Sequence, residues 1–375
     1  MLKTSVIIIS IILLAWVQMP VIKKALPARD AALTIDGPYV FYRGDSILIQ
    51  YIDSADGRIL LRTKQLQQAQ KESLQLIVHT DEPGKTFTVK LHTKLTTEKS
   101  TYNKVQKMLV MSDIEGEFAA MRKLLQGNGV IDENYKWTFG NGHLVLLGDF
   151  VDRGTMVTEV LWLIYYLETQ AEASGGKVHF ILGNHEVMNM NGDFNYVHPR
   201  YQVHAESMQV PYIDLFGQRA ELGRWFATKN ISERIGNFLF AHGGYSRYMN
   251  VVQMPLEDMN DTARIYYTDT SAAYPSMYSE LLYSDYSPFW YRGYYIDKNK
   301  ATTEQVDSTL NIYGARYIVT GHTMVAKEIT SSYEGRVIDT DVPHKLGFSE
   351  ALLIEGNKMF RVNAKGEQMK INARP

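Results

Sequence analysis

Residues 144–154 read Leu144-Val145-Leu146-Leu147-Gly148-Asp149-Phe150-Val151-Asp152-Arg153-Gly154. A four-residue apolar run is too short for a buried helix and suits a strand covered on both faces. Glycine ends it, and two acids and an arginine follow at once. Working outward, the same pattern recurs. Met108-Leu109-Val110-Met111 runs into Ser112-Asp113-Ile114-Glu115-Gly116, and Val178-His179-Phe180-Ile181-Leu182 runs into Gly183-Asn184-His185-Glu186. Between these strands, Phe118, Met121, Leu124 and Leu125, then Val157, Val160, Leu161, Ile164 and Leu167, keep helical spacing. The interval from Asp113 to Asp149 is 149 − 113 = 36 residues, and from Asp149 to Asn184 it is 184 − 149 = 35. Each accommodates one β–α–β unit, which needs roughly 30 residues. Asp113, Asp149 and Asn184 are therefore expected on neighbouring loops at one end of a sheet, where ligand sites of open α/β sheets lie.

Two later strands end alike. Phe238-Leu239-Phe240 leads to Ala241-His242-Gly243-Gly244, and Tyr317-Ile318-Val319-Thr320 leads to Gly321-His322-Thr323. Five apolar strands thus each deliver Asp, Asn or His into a glycine-containing loop. Such a donor set, without Cys, suits divalent ions such as Mn, Fe or Zn. Two ions about 3.5–4 Å apart can clamp a phosphate and lower the pKa of a water. Arg153 has the fork geometry that phosphate oxygens accept, and His185, held by a carboxylate, can protonate a leaving oxygen.

Composition bounds the alternatives. The chain has 375 residues, 45% hydrophobic, with a net charge of −2 and no cysteine. Its length fits about two domains. Near-balanced charge argues against a nucleic-acid binder, and the absence of Cys removes disulfides, thiolate zinc sites and a thiol nucleophile.

Outside the catalytic stretch, Lys3 precedes an apolar run from Val6 to Val17, closed by Lys23 and Lys24. Residues 1–24 are expected to be a signal peptide, with Leu26-Pro27-Ala28 as the best cleavage site, or an uncleaved membrane anchor. Export follows, to the periplasm or to the outer face of the membrane. Residues 33–95 carry short β-rich runs separated by turn chemistry, including Asp56-Gly57, and read as a small β-sandwich-like domain. Residues Thr93 to Lys104 read as a linker, and 105–375 as the catalytic domain, closed by a hairpin of Ala351–Ile354 and Met359–Val362. The insertion Asn189–Lys229 and the Tyr-rich stretch Tyr266–Tyr295 are expected to cover the site. His179 reads as structural, His143 as a surface residue, and His198 and His204 as ordinary packed or solvated residues. Glu186 reads as a partner of neighbouring loops. His344, after Thr340-Asp341-Val342-Pro343, reads first as an ordinary residue, with reach into the site as the alternative.

As a set, Asp113-x-x-Gly116, Gly148-Asp149-x-Val151-Asp152-Arg153-Gly154, Gly183-Asn184-His185-Glu186, His242-Gly243-Gly244 and Gly321-His322 resemble the calcineurin-like metallophosphoesterases, in their phosphoprotein-phosphatase branch. The run Gly183–Val197 and Trp290-Tyr291-Arg292-Gly293 are similar to the bacterial Shewanella-like phosphatases. The resemblance covers about residues 108–340. It implies an α/β, four-layer β-sandwich flanked by helices, and it does not cover the small all-β domain in front. It implies two divalent ions, manganese before iron or zinc: the first held by Asp113 and Asp149, with Asp149 bridging, and the second by Asn184, His242 and His322. It further implies that Asp152 orients His185 as the general acid, that Arg153 and Arg292, with Asn184, bind phosphate, and that a metal-bridging water attacks. The family writes Asp-x-His where this chain has Asp113-Ile114-Glu115, so Glu115 is a candidate oxygen ligand of the first ion. The expected activity is hydrolysis of phosphomonoesters, in phosphopeptides or small molecules. A nucleotide or dinucleoside-polyphosphate hydrolase, and a phosphate-binding pseudo-enzyme with a degraded first metal site, are the alternatives. The expected partners are the phosphorylated substrate and, if the N-terminal segment is retained, the membrane.

Overall fold

The computed structural model describes residues 17–18, 35–55, 58–103, 105–296, 298 and 300–371. Apart from Val17–Gln18, the expected export segment lies outside the described residues, as does the Asp56-Gly57 turn. No helix among the described residues is long and apolar enough to cross a membrane.

The N-terminal segment is an antiparallel sheet in the order β1-β4-β3-β2, made of β1 (Val17–Gln18), β2 (Ile35–Arg43), β3 (Ser46–Ala55) and β4 (Arg58–Gln67). A 3-10 turn over Gln68–Ser73 leads to a separate hairpin, β5 (Leu76–His79) and β6 (Thr86–Val89). Leu76, Val78, Phe87 and Val89 are buried and alternate with outward residues, the period expected of a half-covered hairpin.

Two six-stranded sheets form the centre. β7 (Thr101–Tyr102) and β8 (Lys107–Met111) open them, followed by α1 (Phe118–Gly127), β9 (His143–Leu146), α2 (Val157–Ala173), β10 (Lys177–Phe180), α3 (Asn184–Asn191), α4 (Pro199–Ser207) and α5 (Glu221–Phe226). Then come β11 (Ser232–Ile235), β12 (Phe238–Ala241), four helices, α6 (Arg247–Val252), α7 (Leu256–Ile265), α8 (Met277–Leu282) and α9 (Thr303–Tyr313), and β13 (Tyr317–Thr320). The chain ends with β14 (Thr330–Ser332), β15 (Val337–Asp339), β16 (Glu350–Glu355), β17 (Lys358–Asn363) and β18 (Gln368–Lys370). The first sheet runs β10-β9-β8-β16-β17-β18 and the second β14-β15-β13-β12-β11-β7.

The continuous apolar strands are explained by what lies on either side. Val110, Val145, Phe240 and Val319 face the layer between the sheets, while their neighbours Leu109, Leu144, Leu146, Leu239 and Ile318 join the core under the helices. Alternate residues of one strand point to opposite faces, so a strand buried on both sides carries no polar alternation. β8, β9 and β10 are parallel, with Leu109 opposite Leu144 and Val178 opposite Leu144. β12 and β13 are also parallel, with Leu239 opposite Ile318. The carboxyl ends of all five therefore meet at one edge of the sandwich.

The expected linker is partly ordered into the fold. Thr101–Tyr102 adds a strand to the second sheet by pairing with Arg234 and Ile235, and Glu98 is ion-paired to the buried Lys229 and to Lys177. Polar composition hid this, because the stretch is held by backbone pairing and charge. The N-terminal sheet also reaches the catalytic half. Trp162 of α2 donates to the Pro38 carbonyl at 2.8 Å, and Asp36 is ion-paired to the buried His204 of α4. From α4, Arg200 donates to the Thr155 carbonyl at 2.7 Å, one residue beyond Gly154.

Candidate active site

Local backbone strain marks the edge where the strands end. Twelve described non-glycine residues have positive φ, and six of them are Asp113, Glu115, Asp149, Asp152, Arg153 and His322. Left-handed backbone costs energy for residues with a Cβ and persists where surrounding contacts impose it, which is common at functional sites. The glycines allow the loops to close up. A Cβ on Gly183 would lie 2.2 Å from Asp149 Oδ1, and one on Gly321 would lie 2.4 Å from Asp113 Oδ2.

Glu186 is the brace of the central loops. Its carboxylate accepts the N–H groups of Asp149 at 2.9 Å, Phe150 at 2.8 Å, Val151 at 3.3 Å and Gly183 at 2.8 Å. It thus binds the Gly148–Arg153 loop to the start of α3, the loop-partner role expected of it.

Asp149, His242 and His322 each offer a buried ligand atom, all within 4.8 Å of one another. His242 Nδ1 lies 2.6 Å from the Leu147 carbonyl, which accepts its proton and leaves Nε2 as the ligand atom. That Nε2 lies 3.0 Å from Asp149 Oδ2 and 3.2 Å from Asn184 Oδ1. His322 Nε2 contacts the Trp290 carbonyl at 3.2 Å, which leaves Nδ1 for an ion. Asp113 Oδ2 accepts the His322 amide at 3.1 Å, joining the first and last motifs. The chemistry of this nest fits a divalent cation: borderline nitrogens, a shared carboxylate and backbone-fixed rings. Burial pushes Asp113 up, His242 opposes this and Asp149 adds to it, leaving Asp113 at about 7. Burial would also raise Asp149, but His242 and His185 hold it well below the usual carboxylate range. His242 is pushed up to about 10 by Asp149 and Asp113 against burial. A bound cation would take the place of these protons.

His185 stands beside the nest. Its Nδ1 is 2.6 Å from Asp152 Oδ2, its amide donates to Asp149 Oδ1 at 3.0 Å, and its Nε2 is 3.8 Å from Asp149 Oδ2. Asp152 is held in turn by Asn189 Nδ2 at 2.8 Å, and Asn189 Oδ1 accepts from Tyr212 at 2.6 Å. Burial opposes protonation of His185, but Asp149 and Asp152 outweigh it and push the imidazole up to about 9.

A cavity of about 470 Å³ opens over these groups. Seven of the ten expected site residues border it: Asp113, Glu115, Asp149, Arg153, His185, Arg292 and His322. Asp152, Asn184 and His242 lie behind them. Glu115 is ion-paired to Arg153; burial pushes it up to about 7 against the pull of Arg153. Arg292 donates to the His322 carbonyl at 2.5 Å.

Four features went unread in the sequence or differ from expectation. Tyr196, nearly half exposed, forms an aromatic wall: the Arg153 guanidinium lies 4.9 Å from its ring centre and the His185 ring 4.8 Å, while its carbonyl accepts the Arg153 amide at 3.0 Å. Only its place inside a long insertion hinted at this. Asp341 also borders the cavity beside His344; it lies two residues beyond the short strand Val337–Asp339, in a stretch without the glycine that marks the five catalytic motifs. The Tyr-rich stretch mostly packs rather than covers the site. Tyr283 stacks on Tyr274 at 4.6 Å, Tyr294 is buried, and Tyr295 bonds Thr320 at 2.7 Å, so these rings brace the Arg292 loop. His143 is not a plain surface residue. It is half-buried, and its Nδ1 lies 2.7 Å from Nε2 of His179, which is buried against Glu233, because β9 and β10 pair in register there. Of the insertion histidines, His198 caps α4 and His204 is buried on Asp36.

The sequence profile of the calcineurin-like phosphoesterases matches residues 106–326. An uncharacterized protein of Schizosaccharomyces pombe is 30% identical over 240 residues, covering 62% of this chain and 71% of that one. Shewanella-like protein phosphatase 1 of Plasmodium berghei is 26% identical over 254 residues, covering 63% and 68%. The crystal structure of the cold-active protein-tyrosine phosphatase of a psychrophilic Shewanella species is similar in fold at a TM-score of 0.81, with 32% identity over 90% of this chain and 99% of that one.

Proposed function

The chain belongs to the calcineurin-like phosphoesterase family and is a phosphoester hydrolase, and we propose that it is a metal-dependent phosphomonoesterase acting on phosphopeptides, with aryl phosphates such as phosphotyrosine preferred. The carrying observation is the His185–Asp152 pair, 2.6 Å apart, standing between the buried Asp149–His242–His322 nest and an open cavity with two arginines on its border.

Ions held by Asp113 and Asp149 on one side, and by Asp149, Asn184, His242 and His322 on the other, would supply Lewis acidity toward the phosphoryl oxygens and a nucleophile at neutral pH. Carboxylate with imidazole suits manganese, with iron or zinc as alternatives. Arg153 and Arg292 receive the non-bridging oxygens of a terminal phosphate. His185, whose protonated form Asp149 and Asp152 favour, gives its Nε2 proton to the departing ester oxygen, and Asp152 keeps the ring oriented through Nδ1. Tyr196 offers a face for an aromatic leaving group beside that proton. The phosphatase activity in the name of the Shewanella relative supports the aryl preference. The apolar run Val6–Val17 supports an exported enzyme.

The test compares kcat/KM for phosphotyrosine, phosphoserine and phosphothreonine peptides and for a dinucleoside tetraphosphate. Phosphotyrosine should lead, and Tyr196→Ala should narrow its lead. A dinucleotide as best substrate would overturn the monoesterase reading.

A further inference from the structure

The second ion's corner is complete in protein donors, with Asp149, Asn184, His242 and His322. The first corner is not. Its sequence motif places Glu115 in the third position, and that carboxylate is ion-paired to Arg153. Asp113 and Asp149 alone would leave a hard divalent ion, which prefers about six donors, with two protein ligands.

Residues 340–344 enter this corner from β15. Thr340 fixes the loop: its hydroxyl bonds Ser112 Oγ at 3.0 Å and the Thr320 carbonyl at 2.8 Å, bridging the strand ends that lead to Asp113 and His322. Asp341 and His344 both border the cavity. The charged groups facing Asp341 are Asp113, His242, Asp149 and Arg292. His344 is 5% exposed, and neither of its ring nitrogens makes a hydrogen bond of acceptable geometry. Its polar neighbour is the backbone of Ser112, the residue before Asp113. A buried imidazole whose ring nitrogens make no well-formed hydrogen bond needs an explanation, and a bound ion is one that this corner supplies.

We propose that Asp341, through its carboxylate, and His344, through a ring nitrogen, complete the first ion's site together with Asp113 and the shared Asp149. Glu115 is then left to hold Arg153. Three carboxylates and one imidazole favour manganese at this position. The inference rests on the two-ion reading above.

The test uses the full chain, stripped with a chelator, reloaded with Mn²⁺ and desalted. Bound manganese per chain is measured by mass spectrometry, and spin coupling by electron paramagnetic resonance. The parent should hold two coupled ions. Asp341→Asn and His344→Gln should each hold one, with an uncoupled six-line spectrum and a first-ion Kd raised at least about tenfold. The ion retained at the His242 corner shows that each variant is folded. Glu115→Gln should keep two coupled ions. Two coupled ions at parental affinity in either Asp341→Asn or His344→Gln would overturn the proposal, as would loss of the first ion in Glu115→Gln. A parent chain that takes up no manganese would overturn the two-ion reading itself.

Discussion

At the corner proposed for the second ion, three of the four donors are held from behind. His242 is fixed by the Leu147 carbonyl, His322 by the Trp290 carbonyl, and the Asp149 loop by Glu186. At the corner proposed for the first ion carboxylates predominate: Asp113, Glu115 and Asp341 line one cavity with the shared Asp149, and Glu115 is bound to Arg153. Imidazoles anchored by backbone keep their geometry with or without an ion. Clustered carboxylates repel one another until a cation or a proton arrives, and burial together with Asp113 pushes Asp341 up to about 8. One corner is built to position, the other to respond to charge.

That contrast can be broken at several points. The largest effect is expected at the proton donor that stands beside both corners. His185→Asn should lower kcat by about 10²–10⁴-fold, the usual contribution of general acid–base catalysis, with the manganese content unchanged; a small loss would remove His185 from proton transfer. Next is the brace. Glu186→Gln replaces an acceptor of four N–H groups by an amide that brings its own donors, and metal affinity should fall about 10–100-fold, measured by chelator competition. Unchanged affinity would show that the Asp149 loop stands without it. Glu115→Gln should act on the substrate side. With its competing charge gone from Arg153, the inhibition constant of inorganic phosphate should fall by roughly fivefold, on the order of 1 kcal/mol for a partly exposed pair. A rise would place Glu115 among the groups that bind or metallate.

The smallest effect lies at the far end of the strands. His143 is held down to about 4 by burial and by the adjacent His179, against roughly 6.5 unfolded. The folded value is depressed, so the unfolded chain takes up the proton first as pH falls from about 6.5 toward 4, and stability declines across that window. His143→Gln should make the fall in Tm over this range shallower. An unchanged slope would move the proton uptake elsewhere.

Much of the site was legible because its grammar is local. An apolar strand, a glycine and a donor identify Asp113, Asp149, Asn184, His242 and His322, and strand burial on both faces explains why those runs lack alternation. The partition of β12 and β13 into a second sheet was not legible from the strands themselves, since pairing is non-local; it came through the resemblance. Tyr196 reaches the cavity through a loop without periodicity. Thr101–Tyr102 joins a sheet through backbone bonds that composition does not register. Asp341 lies two residues beyond a strand of only three residues, Val337–Asp339, too short to stand out, and no glycine marks its loop. The tyrosines left two readings open, a binding rim or simple packing, and packing absorbed most of them.

Phosphoester hydrolysis here is proposed to run on ions held by these residues. This is tested most directly by following p-nitrophenyl phosphate hydrolysis in the chelator-stripped chain before and after Mn²⁺ is returned, with His242→Ala alongside. No turnover is expected in the stripped protein, with recovery as manganese is added and no recovery in His242→Ala. Full turnover by a stripped chain verified to hold no metal, or by His242→Ala, would contradict it.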